Sequence, residues 1–129
     1  MDKVALFSGR FDLIHLGHWL TILRLLDKAK TVKVIILDYK DRNWPAFMVK
    51  QMLDETIVRS GMFENIKTEI NNVHFGEITK QQLDSYNGNL FVAGNIEVLK
   101  HVSSLGFPCM YLEPAFGIHA SRYVYDKPE

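Results

Sequence analysis

The run VKVIILD, from Val32 to Asp38, constrains the fold more than any other stretch, because a near-continuous apolar strand of this kind belongs to a parallel sheet covered on both faces. Covering both faces takes helices, and helical signals alternate with strand signals along the whole chain. Val4 to Phe7 forms a short apolar strand and Ser8 to Asp12 the turn out of it. HWLTILRLLDKAK is then a helical run with apolar positions at Leu20, Leu23, Leu26 and Ala29. After the central strand, Ala46, Val49, Leu53 and Ile57 recur at helical spacing in PAFMVKQMLDETIVRSG, with Pro45 suited to a first turn and Gly61 to a stop. Asn72 to Phe75 reads as a weaker third strand and Ile78 to Tyr86 as a short helix or turn. NLFVAGN is another buried strand ending in Gly94, IEVLKHVSSLG a helix closed by Gly106, CMYLEP a last strand, and GIHASRYVY a short helix start.

This alternation predicts a single α/β domain over residues 1–129, with five parallel strands in a doubly wound, Rossmann-like sheet joined by right-handed crossovers. In such sheets ligands bind beyond the carboxyl ends of the strands, where the strand order switches direction. Composition narrows the functions a fold of this kind would carry. The 129 residues give one domain room for a core, and 15 basic residues balance 15 acidic ones, so neither nucleic acid nor an anionic membrane surface is an expected partner. No apolar run approaches the roughly 20 residues of a membrane span, and MDKVALFSGRF lacks the long apolar stretch of a leader, so a cytoplasmic location is expected. Cys109 is the single cysteine, which leaves no internal disulfide and no cysteine metal cage; in FPCMYL it reads as a small buried hydrophobe.

The chemistry concentrates in GRFDLIHLGH, from Gly9 to His18, directly after the first strand. A strand-loop-helix mouth offers unpaired backbone N–H groups and the positive end of the helix dipole, both suited to a phosphate. His15 and His18 are three residues apart, so a helical first turn sets both imidazoles on one face, and Gly17 between them has no side chain to block a ligand. Imidazoles suit phosphoryl chemistry because they donate hydrogen bonds to phosphate oxygens and become cationic near neutral pH. Arg10 either reaches a phosphate as a guanidinium fork or remains an exposed loop arginine. Asp12 orients loop amides or the acceptor, or acts as a helix cap. Trp19 and Trp44 are placed either to line an acceptor pocket or to pack against a helix, while His74 and His101 have no motif around them.

These ten residues resemble the HxGH nucleotidyltransferase superfamily, and most of all its cytidylyltransferase branch, whose GxFDxxHxGH pattern is met at Gly9, Phe11, Asp12, His15, Gly17 and His18. Glycerol-3-phosphate cytidylyltransferases resemble the chain in length and layout. The resemblance implies transfer of a nucleoside monophosphate from CTP to a small phosphomonoester, with pyrophosphate released and Mg²⁺ carried on the triphosphate. It implies His15 and His18 as catalytic groups, Ser8, Gly9, Arg10, Phe11 and Gly17 as nucleotide contacts, and Asp12, Arg42 and Lys50 at the acceptor, where Arg42 and Lys50 equally suit solvated surface charges. VAGN resembles the family's VxGDD, which adds Gly94 and Asn95 to the nucleotide contacts; Asn95 replaces an acid there and equally suits a helix N-cap. PAFGIHAS resembles RTEGIST followed by Ser or Thr at Gly117, Ile118 and Ser121, which adds Ile118 and Ser121, with Pro114 where the family has an arginine and His119 with Ala120 where it has a Ser-Thr pair; Ser121 and His119 either donate to a triphosphate, with Arg122 beside them as a compensating catalytic cation, or belong to a capped terminal helix. GRF before the histidine motif also occurs in an adenylyltransferase branch that uses ATP on a cofactor-precursor mononucleotide. That is the alternative transfer, and a noncatalytic nucleotide-binding module is the alternative outside catalysis. Dimerisation is suggested by the resemblance alone.

Overall fold

The computed structural model describes residues 3–12, 16–39 and 41–111. Nine elements alternate in it: β1 (Val4–Gly9), α1 (Leu16–Leu25), β2 (Thr31–Leu37), α2 (Ala46–Ser60), β3 (Ile66–Asn71), α3 (Lys80–Asp84), β4 (Leu90–Ala93), α4 (Ile96–Ser104) and β5 (Cys109–Tyr111). The strands form one sheet in the order β3-β2-β1-β4-β5, and every pairing is parallel. This is the five-stranded, doubly wound arrangement that the alternation predicts.

Period-two alternation along the strands sorts the core into two layers. Ala5, Phe7, Val32, Val34 and Ile36 pack with Ile22 and Leu25 of α1 and Val49, Leu53 and Ile57 of α2. Leu6, Ile35, Leu37 and Phe91 pack on the opposite face with Leu83 of α3 and Val98, Leu99 and Val102 of α4. Lys33, the one charge inside the β2 run, is accommodated because its Nζ donates to the Tyr86 carbonyl oxygen. The helices change face where the chain turns back past β1 to build β4, so the switch in strand order lies between β1 and β4.

Three sequence expectations are corrected. The third strand is Ile66–Asn71 rather than Asn72 to Phe75. IKTEIN carries charges because it lies at the sheet edge, paired with β2 alone, whereas Phe75 and Ile78 drew attention as apolar residues and instead plug the α3–α4 layer from a loop. The first strand continues through Gly9, in register with β2 up to Gly9 opposite Ile36, so Ser8 and Gly9 are strand residues and the turn begins at Arg10. Helix α1 ends at Leu25, ahead of the turn at Leu26 to Lys28; it buries Gly17, Thr21, Ile22 and Leu25, and Leu20, Leu23 and Leu26 flank that face half-buried. For α2, by contrast, the buried residues are the expected Ala46, Val49, Leu53 and Ile57, between Pro45 at the N-cap and Gly61 at the C-cap with φ of 77°.

Candidate functional site

At the carboxyl end of β1 the backbone is bent by Phe11, whose φ of 47° lies in the left-handed region that side chains rarely adopt. The bend folds the Phe11 ring back over Gly9. A Cβ at Gly9 would stand 3.0 Å from Phe11 Cζ, so glycine is the residue that lets the ring settle there. Phe11 is buried and makes two edge-to-face contacts, with Phe7 at 5.3 Å between centroids and with the His18 ring at 5.0 Å. The motif glycine, phenylalanine and second histidine are therefore one packed unit, and the core sets where the imidazole of α1 sits. Within α1, Thr21 Oγ1 donates to the Gly17 carbonyl oxygen at 2.8 Å, tying down the turn that carries His18.

The polar residues of the turn reach sideways to the loop after β2. The Asp12 carboxylate accepts from the backbone N–H of Asn43 at 3.0 Å, the backbone N–H of Trp44 at 3.0 Å and the Asn43 side-chain amide at 3.1 Å. Burial works to raise the Asp12 pKa, but the Trp44 and Asn43 amides, with the Arg42 and Arg10 charges, outweigh it and hold the carboxyl below its usual 3.8. Of the roles open to Asp12, the structure displays the orienting of loop amides. Arg10 donates through Nη2 to the Asp41 carbonyl and lies over the Tyr39 ring at 5.4 Å. Tyr39 in turn meets His74 edge-on at 4.6 Å, and His74 Nδ1 accepts the Gly76 N–H at 2.8 Å. Arg42 donates to the Trp44 and Leu37 carbonyl oxygens. Burial draws its pKa below the ordinary arginine value, Asp12 opposes that shift, Arg10 reinforces it and Asp38 opposes it. Two guanidinium nitrogens of this cluster, Arg10 Nε and Arg42 Nη2, are buried without a hydrogen-bond partner among the described residues.

The other predicted residues divide clearly. Ser8 is buried. Gly94 is exposed at the end of β4, next to β1 across the switch. Asn95 is the N-cap of α4, its Oδ1 accepting from the Glu97 and Val98 amides at 3.0 and 3.3 Å. Lys50 lies on α2 with its ammonium on Asp54 at 2.7 Å. Trp44 is 46% exposed beside Asp12, whereas Trp19 packs against the core. His101 is held on the Ile78 carbonyl at 2.8 Å. Burial pushes the Cys109 thiol up, away from the thiolate a nucleophile needs. His15, Ile118, His119, Ser121 and Arg122 lie outside the described residues, as does the helix start expected in GIHASRYVY. Sequence reasoning did not find Tyr39 and Asn43; the one available signal was the abrupt change from VIIL to the polar DYKDRN at the end of β2.

No protein-family model matches the chain, and no curated protein sequence matches it. Among solved structures, a bifunctional NMN adenylyltransferase/ADP ribose pyrophosphatase from Francisella tularensis, in complex with AMP and a manganese ion, superposes with a TM-score of 0.70 and 16% identity. That match covers 95% of this chain and 40% of the other, so this chain spans well under half of its length. A candidate nicotinate-nucleotide adenylyltransferase from Vibrio parahaemolyticus matches with a TM-score of 0.63 and 18% identity over 96% of this chain and 85% of that one. A lipopolysaccharide core biosynthesis protein from Thermoplasma volcanium matches with a TM-score of 0.58 and 13% identity over 86% and 94%. The chain thus has a Rossmann-like fold that these solved structures share. At these identities the likeness is one of fold alone.

Proposed function

We propose that this chain is a nucleotidyltransferase that moves an adenylyl group from ATP to a small acceptor of the cofactor-precursor mononucleotide class, releasing pyrophosphate. The observation that carries the reading is the His18 ring, set edge-on against Phe11 at the carboxyl edge of the sheet beside the β1–β4 switch. The acceptor class draws support from the solved structures described as adenylyltransferases of nicotinamide and nicotinate mononucleotides.

In this reaction an acceptor phosphate oxygen attacks the α-phosphorus of ATP. The bond from that phosphorus to the oxygen bridging to the β-phosphate breaks, and pyrophosphate departs with the electron pair. The acceptor is already anionic, so no covalent intermediate on the protein is needed. His15 and His18 donate to the phosphoryl oxygens as charge builds on them. Arg10 attracts the phosphates of the nucleotide and Arg42 that of the acceptor, with Asp12 fixing the loop that positions Arg42, and Lys50 adds a cation beyond it. Ser8, Gly9, Phe11 and Gly17 shape the floor, Gly94 leaves room for the base, and Asn95 anchors the helix behind it. Ile118, His119, Ser121 and Arg122 complete the grip on the triphosphate. Mg²⁺ accompanies the triphosphate on its own oxygens; among the described residues no three His, Cys, Asp or Glu side chains group to hold an ion.

The GxFDxxHxGH spacing favours a second reading, cytidylyl transfer from CTP to a glycerol-3-phosphate-like acceptor. Pyrophosphate release separates the two. ATP or CTP, with Mg²⁺, is offered to nicotinamide mononucleotide, nicotinate mononucleotide and glycerol 3-phosphate, using the native chain and His18→Ala. The expected outcome is release with ATP and a mononucleotide, lost in the variant. Release with CTP and glycerol 3-phosphate instead establishes the second reading. Protection from thermal unfolding by a triphosphate, without release from any acceptor, identifies a binding module.

A further inference from the structure

The loop between β3 and α3 carries no group of the proposed transfer, yet it is fixed at successive positions. The Asn71 side-chain oxygen accepts the Val73 N–H at 2.7 Å, the His74 carbonyl oxygen accepts the Glu77 N–H at 2.8 Å, and Phe75 is fully buried. Between these anchors stands the His74 imidazole, whose Nδ1 accepts the Gly76 N–H at 2.8 Å. A Cβ at Gly76 would lie 2.6 Å from His74 Cε1 and 2.8 Å from Nδ1, so glycine is needed there to make room for the ring. The ring meets Tyr39 edge-on at 4.6 Å, and the Arg10 guanidinium lies over the Tyr39 ring at 5.4 Å. The connections after β1, β2 and β3 are thereby joined in one file of side chains that ends on a cation.

We propose that Tyr39 is a positioning residue for nucleotide binding, backed by His74, and that the pair fixes Arg10 so that its guanidinium meets the triphosphate in one orientation. The inference rests on the assignment of Arg10 to the nucleotide phosphates. A guanidinium is planar and carries its N–H donors in that plane, so an aromatic ring against its face restrains it without consuming a donor. Arg10 Nη2 donates to the Asp41 carbonyl oxygen, which pins one corner of the plane, and Nε is buried without a hydrogen-bond partner among the described residues. One hydrogen bond leaves the plane free to swing about that corner; the Tyr39 face opposes the swing. Tyr39 is itself half-buried, held on one side by the α3–α4 layer and on another by His74. A long side chain ordered before its ligand arrives loses less entropy on binding, so the gain falls on nucleotide affinity. Arg42 is tied instead to the Trp44 and Leu37 carbonyl oxygens, so the acceptor is held independently of this file.

Calorimetric titration of the full chain with ATP and with CTP, each with Mg²⁺, tests this alongside steady-state pyrophosphate release. Tyr39→Leu removes the aromatic face and is expected to weaken nucleotide binding about fivefold, the scale of one partly exposed cation–π contact. The nucleotide KM rises with it, while kcat and the acceptor KM stay within about twofold of native; a general loss of fold would lower all three together. Tyr39→Phe keeps the face and binds as the native chain does. His74→Ala weakens binding in the same direction by a smaller factor. Because Tyr39 acts through Arg10, adding Tyr39→Leu to Arg10→Ala causes no further loss. The proposal is overturned by native-like binding in Tyr39→Leu, by an equal loss in Tyr39→Phe, or by a loss that adds in full to that of Arg10→Ala. A native chain that binds a triphosphate but releases no pyrophosphate refutes the transferase reading and leaves the binding comparison decisive for Tyr39. One that binds neither triphosphate refutes both.

Discussion

Strands β1 and β4 lie side by side and both deliver the chain to the same edge of the sheet, yet the turns that follow them use their polar residues in opposite ways. After β4, Asn95 places its side-chain oxygen on the Glu97 and Val98 amides two and three residues ahead, closing the helix it begins. After β1, Asp12 bonds to amides 31 and 32 residues away, and Arg10 bonds to a carbonyl equally distant. The first turn also has a left-handed phenylalanine, the kind of strain that collects at functional sites because the surroundings must hold it in place. Sequence-local bonds finish an element, whereas sequence-distant ones fix the relation between elements. The proposed transfer, which holds phosphates in line, needs the second kind.

Substitutions on the two sides sharpen this contrast, beginning with the largest effect. His18→Ala should lower turnover by on the order of 10²-fold or more, as loss of one preorganised donor does, with an unfolding midpoint close to native; pyrophosphate release and calorimetry measure the two. Gly9→Val forces a branched side chain into the Phe11 ring, which already stands 3.0 Å from the position of a first carbon. It should cost about 1–3 kcal/mol in chemical denaturation, with activity falling further than Gly9→Ala. Asp12→Asn removes the charge that collects the Asn43 and Trp44 amides and should cost about 1 kcal/mol, with a weakened Michaelis constant for the acceptor. Because the folded pKa of Asp12 is depressed, its contribution is fully present above the ordinary carboxyl pKa near 3.8 and disappears as the pH falls below that value. The native chain and Asp12→Asn should therefore converge in stability in acid. Asn95→Ala should cost about 1 kcal/mol as a lost cap and leave acceptor kinetics unchanged; a marked change there would mean that the β4 turn shares the work of the β1 turn.

How far the sequence exposes the structure depends on where each residue's partners lie. Helix α2 was legible down to its four core residues because periodicity, Pro45 and Gly61 all act within one element. β2 was legible because burial on both faces demands apolar residues at nearly every position. β3 was not, since an edge strand tolerates the charges of IKTEIN, while Phe75 is fully buried from a loop and imitates a strand. The buried face of α1 is harder to read, because Leu20 and Leu23 present a second apolar stripe beside the one that Thr21, Ile22 and Leu25 bury. In the site, the family pattern marked Gly9, Phe11 and His18, but not that one ring would couple them. The bracing of Arg10 by Tyr39 and His74 joins three separate loops, and no local pattern signals such a contact.

The five strands of the described residues all run in one direction, which separates the rim of the proposed site from the rim opposite. Connections from helix back to strand lie on the rim opposite His18, and two of them turn on Gly61 and Gly106, where an added carbon would meet no atom within 4 Å. Gly61 is exposed and its bonds run only to the end of its own helix. New termini or an inserted reporter at that corner would leave the opposite rim intact, so the same polarity that sets the proposed chemistry on one edge leaves the other open to cutting, splicing and labelling.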